Sequence, residues 1–196
     1  MSQIQPLIIL ISGWAHAGKD AVAKVLVESY DFQKFAFADP VKHQVSKDFS
    51  VPLEWCYDQK KKSEILDSDP GKRSLRDVLI HTAESAREED PEIWGRMIGE
   101  KIQKSASRGK RKFVISDWRM IEELFAIQKA NPDALIVPIR VERPSQLISP
   151  VPDWTEYNLF GFPFWRILKN NGTILKLVTH VTEFMEEDIP KIWKSE

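Results

Sequence analysis

An apolar run of strand length, residues 7–12 (LIILIS), leads straight into Gly13-Trp14-Ala15-His16-Ala17-Gly18-Lys19-Asp20, and a helix-forming run, AVAKVLVESY, follows. A buried strand that turns on two glycines into a helix is the setting in which a GxxxxGK pattern has physical meaning. The glycines permit a turn tight enough for successive backbone N–H groups to converge on an anion, and the helix behind them presents its positive end. A lysine at the seventh position reaches the outer phosphates of a polyphosphate chain. Gly13, Ala15, His16, Ala17, Gly18, Lys19, Asp20 and Ala21 are therefore the candidate nucleotide-binding set, with ATP as the expected cofactor.

Apolar runs at 7–12, 34–38, 113–116, 134–141 and 164–168 alternate with segments of helical period at 19–30, 40–48, 74–88, 91–105, 120–130 and 173–186. This alternation predicts an α/β fold, a P-loop NTPase three-layer sandwich with an about five-stranded parallel sheet and helices on both faces. Asp39-Pro40 and Asp90-Pro91 each set a capping carboxylate before a proline suited to the first helical position, which predicts helix starts there. Segments 66–73 and 105–112 have turn chemistry and charge, and 142–163 contains four prolines without a clear period, which marks it as the expected lid. A chain of 196 residues, 42% hydrophobic, is long enough for one substantial core, so one domain is expected over 1–196, with an acceptor-binding helical region at about 40–105.

The formal net charge of −1 argues against a stable nucleic-acid partner. The opening residues carry neither a positive cluster nor a long apolar run, so no membrane association and a cytoplasmic location are expected. A single cysteine, Cys56, excludes an intramolecular disulfide and a cysteine-based zinc site, and reads as a buried thiol.

Asp20 occupies the eighth position, where a Ser or Thr hydroxyl ordinarily meets Mg²⁺. A carboxylate is also a hard oxygen ligand, so Mg²⁺ is expected, although Asp20 can alternatively cap the helix it opens. Val114-Ile115-Ser116-Asp117 is an apolar strand ending in an acid, which either serves the same metal or caps a helix. Phosphoryl transfer needs positive charge around the moving group. Arg119 stands where the third strand meets its helix, and Lys42 lies one turn into the helix after the second strand. Arg76 and Arg87, eleven residues apart, share a helix face, while Arg140 and Arg143 bracket the entrance to the proline-rich segment. The seven tryptophans, among them Trp55, Trp94 and Trp118, offer planar surfaces for a base, although core packing is the common use of any one of them. The Lys110–Lys112 cluster (KRK) reads as a solvated turn.

Taken together, GWAHAGKD, FADPVK, SLRDVLIHTAESAREEDPEIWGR, VISDWR and NNGTILKL resemble the deoxynucleoside monophosphate kinases of phages and large viruses, and also the animal-type phosphomevalonate kinases, over residues 7–189. Both groups carry GKD in place of GK[ST]. The resemblance implies that Lys19 and the loop from Gly13 hold the ATP phosphates and that Asp20 and Asp117 serve Mg²⁺. It further implies that Lys42, Arg76, Arg87 and Arg119 face the acceptor phosphate, with Lys19, Arg87, Arg119 and Arg140 as the catalytic cations. Arg143 and Trp94 join the expected acceptor set, and the turn containing Asn171, Gly172 and Thr173 is expected beside the ATP base, with a plain helix start as its alternative.

The expected activity is transfer of the ATP γ-phosphoryl group to a deoxynucleoside monophosphate by a monomer or homodimer, in the host-cell cytoplasm if the source is viral. Phosphomevalonate as acceptor and non-catalytic nucleotide binding are the alternatives.

Overall fold

The computed structural model describes residues 5–144, 155 and 157–193. Among the described residues, five strands form one sheet: β1 (Leu7–Ser12), β2 (Gln33–Phe35), β3 (Lys112–Ile115), β4 (Leu135–Glu142) and β5 (Arg166–Lys169). They lie in the order β2-β3-β1-β4-β5, and every pairing is parallel. β1 is the central strand and is wholly buried, because its alternate side chains feed two different cores. Leu7, Ile9 and Ile11 join Val22, Leu26, Leu177 and Val181 on one face. Ile8 and Leu10 join Val41, Val78, Ile98 and Ile127 on the other. An uninterrupted apolar run is what a strand needs when helices cover both of its faces.

The helices are α1 (Lys19–Tyr30), α2 (Ala38–Asp48), α3 (Leu75–Glu89), α4 (Ile93–Ala106), α5 (Ile121–Ala130), α6 (Ile174–Glu183) and α7 (Ile189–Ile192), the last two joined by a π-helical turn, Phe184–Asp188. Two short 3₁₀ turns, Leu53–Cys56 and Lys61–Ser63, link α2 to α3, and Cys56 is fully buried as expected. The three-layer parallel architecture is the one the sequence predicts.

Both Asp-Pro helix starts need correction. α2 begins one residue earlier than Asp39, and its first amides are satisfied by Asp117, about eighty residues away: the N–H groups of Phe37 and Ala38 donate to Asp117 Oδ1 and Oδ2, each at 2.9 Å. Asp90 closes α3, and α4 starts only at Ile93, although Asp90 Oδ1 still accepts from the N–H of Glu92.

The chain passes from β1 out to β2, returns through β3 and crosses to β4, so the ends of β1, β3 and β4 meet where the strand order reverses. That reversal is the place on an open parallel sheet where ligands bind. Half of the segment expected as a lid, residues 145–154 and 156, lies outside the described residues. Its later part is fixed to the core: Leu159 is buried, and the rings of Phe162 and Phe164 pack edge-on against Trp118 at 5.0 and 5.9 Å.

Candidate active site

The glycine turn forms where β1 ends. Ala17 N–H donates to Trp14 O at 3.1 Å, and Val22 N–H to Gly18 O at 3.0 Å, so the loop closes on itself and runs directly into α1. Lys19 arches back across the loop, its Nζ donating to Gly13 O at 2.6 Å and Trp14 O at 2.8 Å. The loop is thus a closed turn at the end of β1, with the Lys19 ammonium bonded to two of its carbonyls. Asn170 holds it from the far side: its Nδ2 donates to Ala17 O at 2.8 Å and would stand 2.6 Å from a Cβ at Gly18, so this position has room only for glycine.

Asp20 is exposed at the start of α1. Lys34 from β2 donates to its Oδ1 at 2.7 Å, and Ser116 Oγ, at the end of β3, donates to the same oxygen at 3.0 Å. Desolvation pushes the Asp20 carboxyl up, but Lys34, Ser116 and Lys19 together outweigh it and hold the group below its ordinary range. Asp20 is thus an anionic hard-oxygen donor beside the loop. Ser116, which sequence reasoning passed over, returns next to it the hydroxyl that the GKD pattern lacks.

From Ser116 the chain turns into a second feature, a cavity of about 300 Å³ between the end of β3 and helices α2 and α3. Five cations line it: Lys42, Lys62, Arg76, Arg87 and Arg119. Its apolar wall includes Phe37, Val41, Leu79, Ile80 and Ala83, and Asp117, Glu84 and Glu123 also reach it. Lys42 donates to Asp39 Oδ1 at 3.2 Å and lies 3.9 Å over the Tyr57 ring. Arg76 donates to Gln59 Oε1 at 2.8 Å, and Arg119 Nη1 to Thr155 Oγ1 at 2.9 Å. Half-buried Lys62, another residue not foreseen, has its ammonium pKa lowered by desolvation and by the nearby charges of Lys42 and Arg76. Cations that crowd together in a partly dry cavity are stabilised by an anionic ligand.

No family model matches the chain, and no curated protein matches it. Solved structures do. The TT1252 protein of Thermus thermophilus superposes with a TM-score of 0.54 at 15% identity, covering 97% of this chain and 100% of its own. A dephospho-CoA kinase from Campylobacter jejuni gives 0.51 at 14% identity, covering 92% and 96% respectively. A sugar kinase from a Janibacter species gives 0.50 at 10% identity, covering 97% and 99%. The chain shares the three-layer α/β fold of these structures. At these identities the likeness establishes architecture alone.

Within that fold the expected residues separate into three groups. Lys42, Arg76, Arg87 and Arg119 come together around the cavity, as the shared face of Arg76 and Arg87 requires. Arg140 and Arg143 do not join them. Arg140, at the end of β4, is 7% exposed, with its guanidinium 5.7 Å from the Trp14 ring and 5.5 Å from the Phe164 ring and its Nε 3.3 Å from Glu142, so it braces the P-loop from behind. Arg143 is exposed beyond the end of β4. The third group is a correction: Trp94 is 1% exposed in the core with Nε1 donating to Ala83 O at 3.2 Å, and Trp118 is equally buried, so neither offers a face to a ligand. Trp94 leaves the acceptor set.

In the turn after β5, Thr173 caps α6 by accepting from Lys176 N–H at 3.3 Å, which is the helix-start alternative for this segment. Asn171 and Gly172 stand between that cap and Asn170. Asp117, as the cap of α2, has each oxygen already accepting from one amide, and burial pushes its carboxyl pKa up. The KRK cluster packs against α1 and α4. Lys110 pairs with Asp31 at 2.7 Å, Arg111 donates to Ala106 O, and Lys112 donates to Tyr30 O at 3.1 Å.

Glu123, fully buried at the start of α5, has its pKa pushed up to about 7, first by desolvation, with Asp117 adding to the rise and Arg87 and two backbone amides opposing it. A carboxyl raised on folding stabilises the native state fully below about pH 4 and loses that contribution as pH climbs through about 7. Thermal unfolding at about pH 5.5 is therefore expected at a higher midpoint than at about pH 8, and Glu123→Gln should remove most of the difference.

Proposed function

We propose that this chain is an ATP-dependent kinase whose acceptor is a small phosphorylated molecule, a deoxynucleoside monophosphate. One observation carries the reading: a cavity lined by five cations begins at Asp117, the residue after Ser116, whose hydroxyl bonds Asp20 of the P-loop helix. An anion held there lies beside the mouth of the phosphate-binding loop. The apolar wall of Leu79, Ile80 and Ala83 suits the flat body of a nucleobase, and the cavity is at the small end of ligand pockets, about 300–1,000 Å³.

The acceptor's phosphate is itself the nucleophile and is already anionic near neutral pH, which explains why a His or Cys dyad is unnecessary. Lys19 and the loop amides would hold the β- and γ-phosphates, while Arg87 and Arg119 neutralise charge on the transferring oxygens and fix the line of attack. Mg²⁺, when bound, supplies charge neutralisation across the phosphates. The donor set fits that ion: the Asp20 carboxylate and the Ser116 hydroxyl are hard oxygens side by side, and such sites use one or two carboxylates with phosphate and water. Asp20 would hold it, with Ser116 adjacent; Asp117, already engaged as the cap of α2, would be the second acid that the resemblance implies.

Asp20→Asn is expected to raise the Mg²⁺ concentration for half-maximal activity about tenfold, whereas Asp20→Ser, which restores the usual hydroxyl, keeps most of the activity. A Mg²⁺ titration of the initial rate checks both. The function itself is tested by ADP release with each of the four dNMPs, with Lys19→Ala as control. Acceptor-dependent ADP from the wild type alone supports the proposal, and equal signals from both proteins end it.

Burial of Trp94 and Trp118 removes two of the planar surfaces that would set a base apart from an aliphatic acceptor. Phosphomevalonate is therefore the second reading, and direct competition between it and dTMP or dGMP separates the two. ATP binding without acceptor-dependent ADP from any of these compounds would instead mark a non-catalytic nucleotide-binding protein.

A further inference from the structure

Glu123 stands among the arginines of the cavity, and no part of the mechanism above uses it. It lies in the first turn of α5 and is 1% exposed. Its Oε2 accepts the backbone N–H of Arg119 and of Met120, both at 3.1 Å, so it closes the chain reversal between β3 and α5. Its Oε1 lies 3.5 Å from Arg87 Nη2, reaching across to α3. The two oxygens of one carboxylate thus hold the backbone of one proposed catalytic arginine and the side chain of the other. A cap made only for α5 would not need the second contact, nor burial beside a guanidinium.

Arg87 carries the independent sign. Its Nε is the one buried side-chain polar atom without a hydrogen-bond partner among the described residues, and Arg87 lines the cavity. An orphaned buried donor is costly unless a ligand satisfies it. Held at Nη2 by Glu123, the guanidinium keeps Nε for another acceptor atom.

We propose that Glu123 is a positioning residue: its ionised carboxylate clamps Arg87 and the Arg119 turn together, so that Arg87 presents Nε to an oxygen of the acceptor's anionic group. This rests on the kinase reading above for the identity of the acceptor, but the clamp itself does not. The charged groups facing Glu123 are Arg87 from α3 and Asp117 from the end of β3, while Arg119 meets it through its backbone N–H and α4 through Gly95, which has no charge. Burial raises the Glu123 carboxyl toward neutrality, so protonation there loosens its hold on Arg87 and ionisation tightens it. The fold is therefore most stable in the protonation state that positions Arg87 least.

The test has two arms in the full-length protein. First, the Arg87 Nε–Hε resonance is followed by ¹⁵N NMR against pH, assigned with Arg87→Lys. In wild type it should shift with a midpoint near 7, and in Glu123→Gln it should not titrate. A flat wild-type profile, or an unchanged midpoint in the variant, overturns the clamp. Second, Glu123→Gln should bind ATP within about twofold of wild type, because Lys19 and the loop are untouched, yet lose about tenfold or more in kcat/KM for the acceptor, chiefly through KM, together with the limb of the pH profile near neutrality. Wild-type acceptor kinetics in Glu123→Gln overturn the positioning role. If the resonance titrates as expected and no acceptor yields ADP in wild type, the clamp stands and the kinase reading is what fails.

Discussion

Lys19→Ala is expected to lower acceptor-dependent ADP formation by on the order of a thousandfold while the protein remains folded. The two outcomes separate because of where Lys19 sits. Its ammonium makes hydrogen bonds to the carbonyls of Gly13 and Trp14, both on the loop it crosses. Losing such a contact at a partly exposed site costs roughly 1 kcal/mol. In catalysis the same ammonium would face the phosphoryl group being transferred, where little else on the loop carries a full positive charge. Circular dichroism and thermal unfolding should be near those of wild type, and a coupled ADP assay should show the loss. A variant that retains more than about a tenth of the wild-type rate would remove Lys19 from the mechanism.

Gly13→Ala is expected to have the largest effect on stability, at least about 3 kcal/mol, or roughly 10 °C in the thermal midpoint. Gly13 has a φ of 141°, and a Cβ placed there would lie 2.3 Å from the carbonyl oxygen of Val141. That oxygen belongs to β4, whose register against β1 pairs Ser12 with Arg140 immediately before Gly13. No side chain can rotate away to relieve the overlap, so either the turn or the central strand pair must move. Gly109 provides the contrast, with a φ of 98° and nothing within 4 Å of an added Cβ. Gly109→Ala should cost only about 1 kcal/mol, the strain of the conformation alone. Equal midpoints for the two variants in thermal unfolding would show that the contact with β4 is unimportant.

The strands and helices were legible because a central strand buried on both faces must be an apolar run, and the glycine turn after it fixed the direction of the sheet. The cavity was legible in part, since Arg76 and Arg87 share a helix face by spacing. What the sequence concealed are partnerships between distant residues. Nothing near Asp117 announces that it caps α2, because its partners Phe37 and Ala38 lie about eighty positions away. Lys62, in the run Lys60-Lys61-Lys62, reads as a solvated charge until the 3₁₀ turn carries it into the cavity. Glu123 looks like any acid in a first helical turn, and only the packing of α4 against α5 at Gly95 shows that it is buried. The error with Trp94 has a similar origin. An indole can line a pocket or fill a core, and the choice depends on neighbours such as Ala83 across the α3–α4 contact.

The proposed function requires one anion site made of loop amides and Lys19 to adjoin a second made of Lys42, Lys62, Arg76, Arg87 and Arg119. A crystal structure with ADP, Mg²⁺ and a mixture of the four dNMPs tests it most directly. The diphosphate should lie in the turn between Gly13 and Asp20, and the phosphate of the selected monophosphate should sit among those five cations. A diphosphate bound away from the turn, or an acceptor phosphate outside the cavity, would contradict the proposed function.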